Sequence, residues 1–132
     1  MMEEAYPDLE IYIKQVALED ILRWLGESFE IVTTEKQNET THCQMRQKEN
    51  RGATEVECII VERAVKGDFT SVWFKRNNTH WDTDENCATD AFSHLQAEVR
   101  CSAGTWKGED EEQGGWLSIS KNGLKTINWF TH

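Results

Sequence analysis

The sequence predicts an α+β fold with two layers, in which a mainly antiparallel sheet of about eight strands carries two helices on one face. Three observations lead there. Leu18, Ile21, Leu22 and Leu25 recur at helical spacing, and Ala88, Ala91, Phe92 and Leu95 repeat that spacing later in the chain. Most other segments alternate apolar and polar residues, the period of a half-buried strand. With 132 residues, the chain suffices for a single domain, residues 1–132, with a core of its own.

Leu9, Ile11 and Ile13 alternate with Glu10 and Tyr12, and Pro7 just ahead suits a strand entry. From about Val16 to Glu27 the period becomes helical, with Gly26 placed where a left-handed residue often ends a helix. Phe29, Ile31 and Thr33 alternate again. In the polar stretch 35–51, Thr41, Cys43 and Met45 fall on one face of a strand opposite His42, Gln44 and Arg46, and Asn50-Arg51-Gly52 signals a turn.

Residues 54–65 read as the longest strand, and the run Ile59-Ile60-Val61 breaks its alternation, as a bulge or a doubly covered middle would. Lys66-Gly67-Asp68 turns the chain back into a strand from Phe69, apolar on both faces and hence central. Asp82 with Glu85 has capping-box spacing and Thr83 is the alternative cap for a helix running to Leu95. Ala97, Val99 and Cys101 form a short strand, residues 104–115 a hydrophilic loop with Glu109-Asp110-Glu111-Glu112, and residues 116–120 and 124–130 a closing hairpin around Lys121-Asn122-Gly123.

Written out, the order is βαββββαβββ. The echo between the helices fits an internal pseudo-repeat of βαβββ halves, residues 9–65 and 69–130, although helical spacing alone produces such an echo. The order strand, helix, four strands, helix is similar to the repeat of the TATA-binding-protein-like fold. That resemblance is one of element order alone.

The formal net charge of −10 opposes binding to nucleic acid and to anionic membrane surfaces and favours a basic protein partner; excess acid also serves solubility. No apolar run is long enough to span a membrane, and the acidic start lacks the order of a signal peptide, so a soluble, cytoplasmic protein is expected. Cys43, Cys58, Cys87 and Cys101 lack C-x-x-C spacing and read as buried free thiols, with a zinc site assembled through space as the competing reading. Asn38-Glu39-Thr40 and Asn77-Asn78-Thr79 match a glycosylation pattern that has no meaning without secretion.

No phosphate loop or nucleophile motif is present, and neither catalytic residues, a metal nor a cofactor is assigned. The densest polar cluster is His80-Trp81-Asp82-Thr83-Asp84-Glu85, where carboxylates and an imidazole could bind a cation or line a small-ligand pocket. Helix capping explains most of the same residues, with Trp81 stapling the loop to the helix. Six tryptophans are many for this length, and with both helices on one sheet face some must lie on the other. The candidate binding residues are therefore Trp73, Trp116 and Trp129 on an open sheet face, with His80, Asp82 and Asp84 at the loop. The expected function is an acidic interaction module that neutralises a basic protein partner, or forms a homodimer. The alternative is a small-molecule binder or enzyme with a pocket near His80 to Glu85.

Overall fold

The computed structural model describes residues 7–48, 55–102 and 115–129. In chain order they form β1 (Leu9–Lys14), α1 (Leu18–Ser28), β2 (Phe29–Gln37), β3 (Thr40–Gln47), β4 (Glu55–Val65), β5 (Phe69–Phe74), α2 (Asp84–Leu95), β6 (Val99–Ser102), β7 (Trp116–Ser120) and β8 (Gly123–Ile127). The strands make one eight-stranded sheet in the order β2-β3-β4-β5-β1-β6-β7-β8, with antiparallel neighbours throughout. The mixed α+β architecture expected from the alternating and helical segments is the one observed. The turn at 50–52, Trp106, the acidic run 109–112 and Phe130 lie outside the described residues.

The N-terminal strand sits inside the sheet. β1 pairs with β5 through Leu9↔Phe74, Ile11↔Val72 and Ile13↔Thr70, and with β6 through Ile11↔Cys101 and Ile13↔Val99. Leu9, Ile11 and Ile13 are wholly buried on the helix-covered face, while Glu10, Tyr12 and Lys14 alternate onto the other. The same alternation sends Cys43 and Met45 of β3, Val56, Cys58 and Ile60 of β4, Val72 and Phe74 of β5, and Val99 and Cys101 of β6 into one core beneath the helices.

The strand order does not repeat between the halves 9–65 and 69–130. β2, the strand after α1, forms one edge of the sheet, whereas β6, the strand after α2, lies beside β1 near its middle. The two helices share an apolar spacing, but the strands that follow them occupy unlike places.

Local chemistry explains the boundaries. Gly26 does not end α1: the helix continues to Ser28, and Phe29 is both its C-cap (φ −129°) and the first residue of β2, its N–H bonded to the Leu25 carbonyl. No left-handed residue is required because the chain passes from helix to strand without a loop, driving the Phe29 ring into the core. At α2, Thr83 rather than Asp82 is the cap, its hydroxyl accepting from the Asn86 N–H at 3.1 Å. Gln96, at φ +58°, closes that helix in the left-handed region. In β4 the register shifts between Val61 and Val65, with Arg63 at φ +53°, so the bulge falls after the Ile59-Ile60-Val61 run rather than within it.

The space between helices and sheet is filled by Trp81. Its indole stacks on Trp24 of α1 (5.5 Å between ring centroids) and meets Phe29 (5.7 Å) and Phe74 (5.8 Å). Its Nε1–H donates to Asp90 of α2 at 3.0 Å, so an otherwise buried polar group is satisfied. Trp24 thus lies within the core. The loop that delivers Trp81 is laced to β3, β4 and the segment ahead of β1: Asn77 N–H donates to the Pro7 carbonyl (2.9 Å), Asn78 Nδ2 to the Glu55 carbonyl (3.1 Å), and Gln47 Nε2 to the Asn78 carbonyl (2.7 Å).

Trp81→Ala therefore removes both a large core side chain and the tie between α1 and α2. The expected loss is about 3–5 kcal/mol of unfolding free energy, read from urea denaturation. Trp81→Phe, which loses the Asp90 hydrogen bond but keeps a ring, should cost clearly less.

Candidate functional site

The six candidate residues separate into two groups on opposite sides of the sheet. Trp73, Trp116 and Trp129 belong to the helix-free face, the first two by strand register and Trp129 by its ring contacts with Tyr12 and Phe69. Trp116 and Trp129 come together there, 4.9 Å apart and edge-on, and both also meet Tyr12 of β1 edge-on at 5.7 and 5.3 Å. Trp129 lies beyond the end of β8 and its ring returns over the sheet to Phe69 of β5 at 4.8 Å. Trp73 shares the face but not this cluster; its Nε1–H donates to the Asp8 carboxylate at 2.9 Å.

Sequence reasoning missed the centre of the cluster, Arg100. Its guanidinium carbon lies 4.7 Å from the ring centroids of both Phe69 and Trp129, a cation held between two π faces. Arg100 Nε–H also donates to Glu98 at 2.8 Å, and the Ser118 hydroxyl donates to the same carboxylate oxygen at 2.6 Å. Burial pushes the Glu98 carboxyl up, but the Ser118 and Arg100 hydrogen bonds and the charges of Arg100 and Lys14 outweigh it, so the group titrates below the usual range. The alternation of β6 put Arg100 on this face, but only the return of the chain after β8 brings Trp129 to it.

Beside this cluster, Tyr12 donates to Glu10 at 3.2 Å. Burial, with the adjacent Glu10 charge and hydrogen bond, pushes the Tyr12 phenol up to about 12. Burial also raises Glu10 despite that bond.

On the helix-covered side, the loop cluster does not form a pocket of converging donors. His80 is exposed and lies against Trp81 and Phe29, Asp82 is exposed, and the space beneath them is taken by the Trp81 ring. Asn77, the acceptor position of one glycosylation pattern, uses its side-chain amide to hold the Trp81 carbonyl at 2.9 Å. Asp84 leaves the loop altogether: its Oδ1 accepts the Glu10 backbone N–H at 3.1 Å, clamping the start of α2 to β1. Burial, with the nearby charges of Asp8 and Glu10, pushes Asp84 up to about 6 against that hydrogen bond. Among the described residues no group of three or more His, Cys, Asp or Glu side chains is arranged to hold a metal ion.

All four cysteines are free and buried. Cys43 faces Cys58 across the β3–β4 pair, and burial pushes Cys43 up to about 11 and Cys101, also opposed by Asp84 and Glu85, up to about 12. The thiols are therefore protonated and inert at neutral pH.

The two outer surfaces differ in charge. The helices α1 and α2 carry Glu19, Asp20, Glu27, Asp84, Glu85 and Asp90 against Arg23 as their one Lys or Arg. On the helix-free face, Asp8, Glu10, Glu30, Glu35, Glu55, Glu57 and Glu98 are largely offset by Lys14, Arg46, Lys75, Arg100 and Lys125. Between α1 and α2 runs an open groove of about 510 Å³, floored by Val16, Ala17, Trp24, Leu95 and Ala97 and rimmed by Asp20, Glu27, Arg23 and His94. Asp20 and Arg23 pair across one helix turn at 2.7 Å, both well exposed.

Compared with protein-family models, curated proteins and solved structures, the chain matches none. No helix among the described residues is long and apolar enough to cross a membrane.

The Asp84 clamp sets a pH dependence. Its folded-state value of about 6 lies above its ordinary value of 3.8, so the folded chain holds this proton more tightly than the unfolded one. The stability it confers is complete below 3.8 and is lost as pH rises through about 6. An amide keeps an acceptor for the Glu10 N–H but carries no charge. Asp84→Asn should therefore gain on the order of 1–2 kcal/mol relative to the parent between pH 4 and pH 7, seen as a shift in the difference of their urea midpoints. A difference that stays constant across that range refutes the assignment.

Proposed function

We propose that this chain is a non-enzymatic interaction module that engages a basic protein partner through its helical face. The observation that carries the reading is the charge division: apart from Asp84, which turns in to β1, the helices bear five carboxylates against one arginine, while on the opposite sheet face five cationic side chains offset most of seven carboxylates. A field of that sign speeds encounter with a basic surface and repels phosphate backbones.

The groove between α1 and α2 fits the role. Its apolar floor accepts the aliphatic stems of lysine or arginine side chains, and Asp20 and Glu27 stand where the charged heads would emerge. The small-ligand alternative near His80 to Glu85 has less support, because Trp81 fills that space. Four protonated, buried thiols fit a cytoplasmic, reducing setting.

Binding of a lysine-rich peptide, followed by calorimetry, tests the reading. Affinity should fall at least about tenfold between 50 and 500 mM NaCl. Glu27→Lys should weaken it several-fold, and more than Glu57→Lys on the sheet face does. Salt-insensitive binding, or equal effects of the two reversals, would sink the proposal.

A further inference from the structure

The helix-free face holds a second, different surface. We propose that it is a self-association interface, on which a second copy of this chain packs sheet against sheet and leaves both acidic helical layers pointing outward.

Charge is the first argument. A chain of net charge −10 repels its own copy, and the surface where two copies can approach at least cost is the one whose charges cancel. Among the described residues that is the sheet face, not the helices. The cancellation also has a direction. Towards β2–β4, Glu30, Glu35, Glu55 and Glu57 outnumber Arg46, whereas towards β1–β8 Asp8, Glu10 and Glu98 are matched by Lys14, Arg100 and Lys125. A two-fold axis parallel to the strands sets the β2 side of one copy over the β8 side of the other, so the more acidic half meets the balanced half rather than its own copy. Such an isologous contact needs no second patch.

Area is the second. Eight strands about 4.8 Å apart and roughly 18 Å long present on the order of 600 Å² per copy. Pairing two such faces buries about 1,200 Å², the lower bound for a specific, stable interface.

Composition is the third. Tyr12, Ile59, Val61, Trp73, Trp116 and Trp129 are each partly exposed on this one face, and tyrosine and tryptophan are the residues that interfaces favour at their centres. Two such sheets can stack at about 10 Å, with the strands of one within about 30° of the other.

The test is the mass of the full chain by light scattering at about 50 µM. The expected result is a dimer, twice the 15.3 kDa chain mass, that Trp73→Arg or Ile59→Lys converts to a monomer with unchanged far-ultraviolet circular dichroism. Raising NaCl to 500 mM should preserve or tighten this dimer, because screening relieves the repulsion between acidic copies. That is the opposite sign from the basic-partner complex, so the two proposals fail separately. A monomeric parent overturns this one, as does a dimer that survives both sheet-face variants but is broken by Val32→Glu on the exposed edge strand β2.

Discussion

Two helices of 11 and 12 residues have to cover one face of an eight-stranded sheet, and by size alone they fall short. At 1.5 Å per residue each is under about 20 Å long and about 10 Å across, against a sheet roughly 34 Å wide. The shortfall is met by the loop before α2, which lays Trp81 over Phe29 and Phe74 and against Trp24. The rest of the helical layer depends on that ring. It fixes α1 through stacking and α2 through the Asp90 hydrogen bond, and it ties both to β2 and β5. Asn77 and Thr79 hold the loop's own backbone at Trp81, and Asn78 ties the loop to the Glu55 carbonyl of β4.

What the sequence disclosed follows from which interactions are local. The strands and helices were legible because alternation and helical spacing are set by neighbours within a few residues, and Thr83 was recognisable as one of two caps. The fate of Gly26 was not, because whether a helix needs a left-handed ending depends on where the chain goes next, and here it enters β2 at once. The stacking of Trp24 on Trp81 was not legible, because the two lie far apart in sequence. The same limit applies to Arg100: nothing near it in the chain announces that Phe69 and Trp129 will close on either side. Candidate site residues chosen for their chemistry, His80, Asp82 and Asp84, turned out to be divided between solvent and a structural clamp on β1.

The position of β1 explains why the two halves of the chain are not interchangeable. An N-terminal strand inserted between β5 and β6 joins what would otherwise be a four-stranded meander, β2 to β5, to a three-stranded one, β6 to β8. The sheet is then a single unit whose core face is continuous, and neither half can bury its apolar stripe without the other. α2 packs on β1, β6 and β7 while α1 leads directly into β2, so each helix serves one side of this junction.

β1 also carries the difference between the two faces within six residues. Leu9, Ile11 and Ile13 are fully buried, yet the residues between them are Glu10, Tyr12 and Lys14 rather than further aliphatics. At the centre of a sheet, a permanently covered second face would be expected to read as a continuous apolar run. Here the central strand keeps a carboxylate, a phenol and an ammonium on that side, and holds the first two together by a hydrogen bond although burial disfavours their charged forms. Arg100 and Glu98 do the same one strand away, with aromatic rings covering the guanidinium. Such a face remains compatible with water when the chain is alone, and at its centre Glu10, Glu98 and Arg100 already have internal partners. Around β1 and β6 such a face leaves little uncompensated polarity to desolvate, because the partners are already in place. Polar pairs and aromatic rings on neighbouring strands thus suit a surface that is stable bare and, under the proposed sheet-to-sheet contact, would be stable covered as well, which neither a sealed core nor a purely solvated face requires.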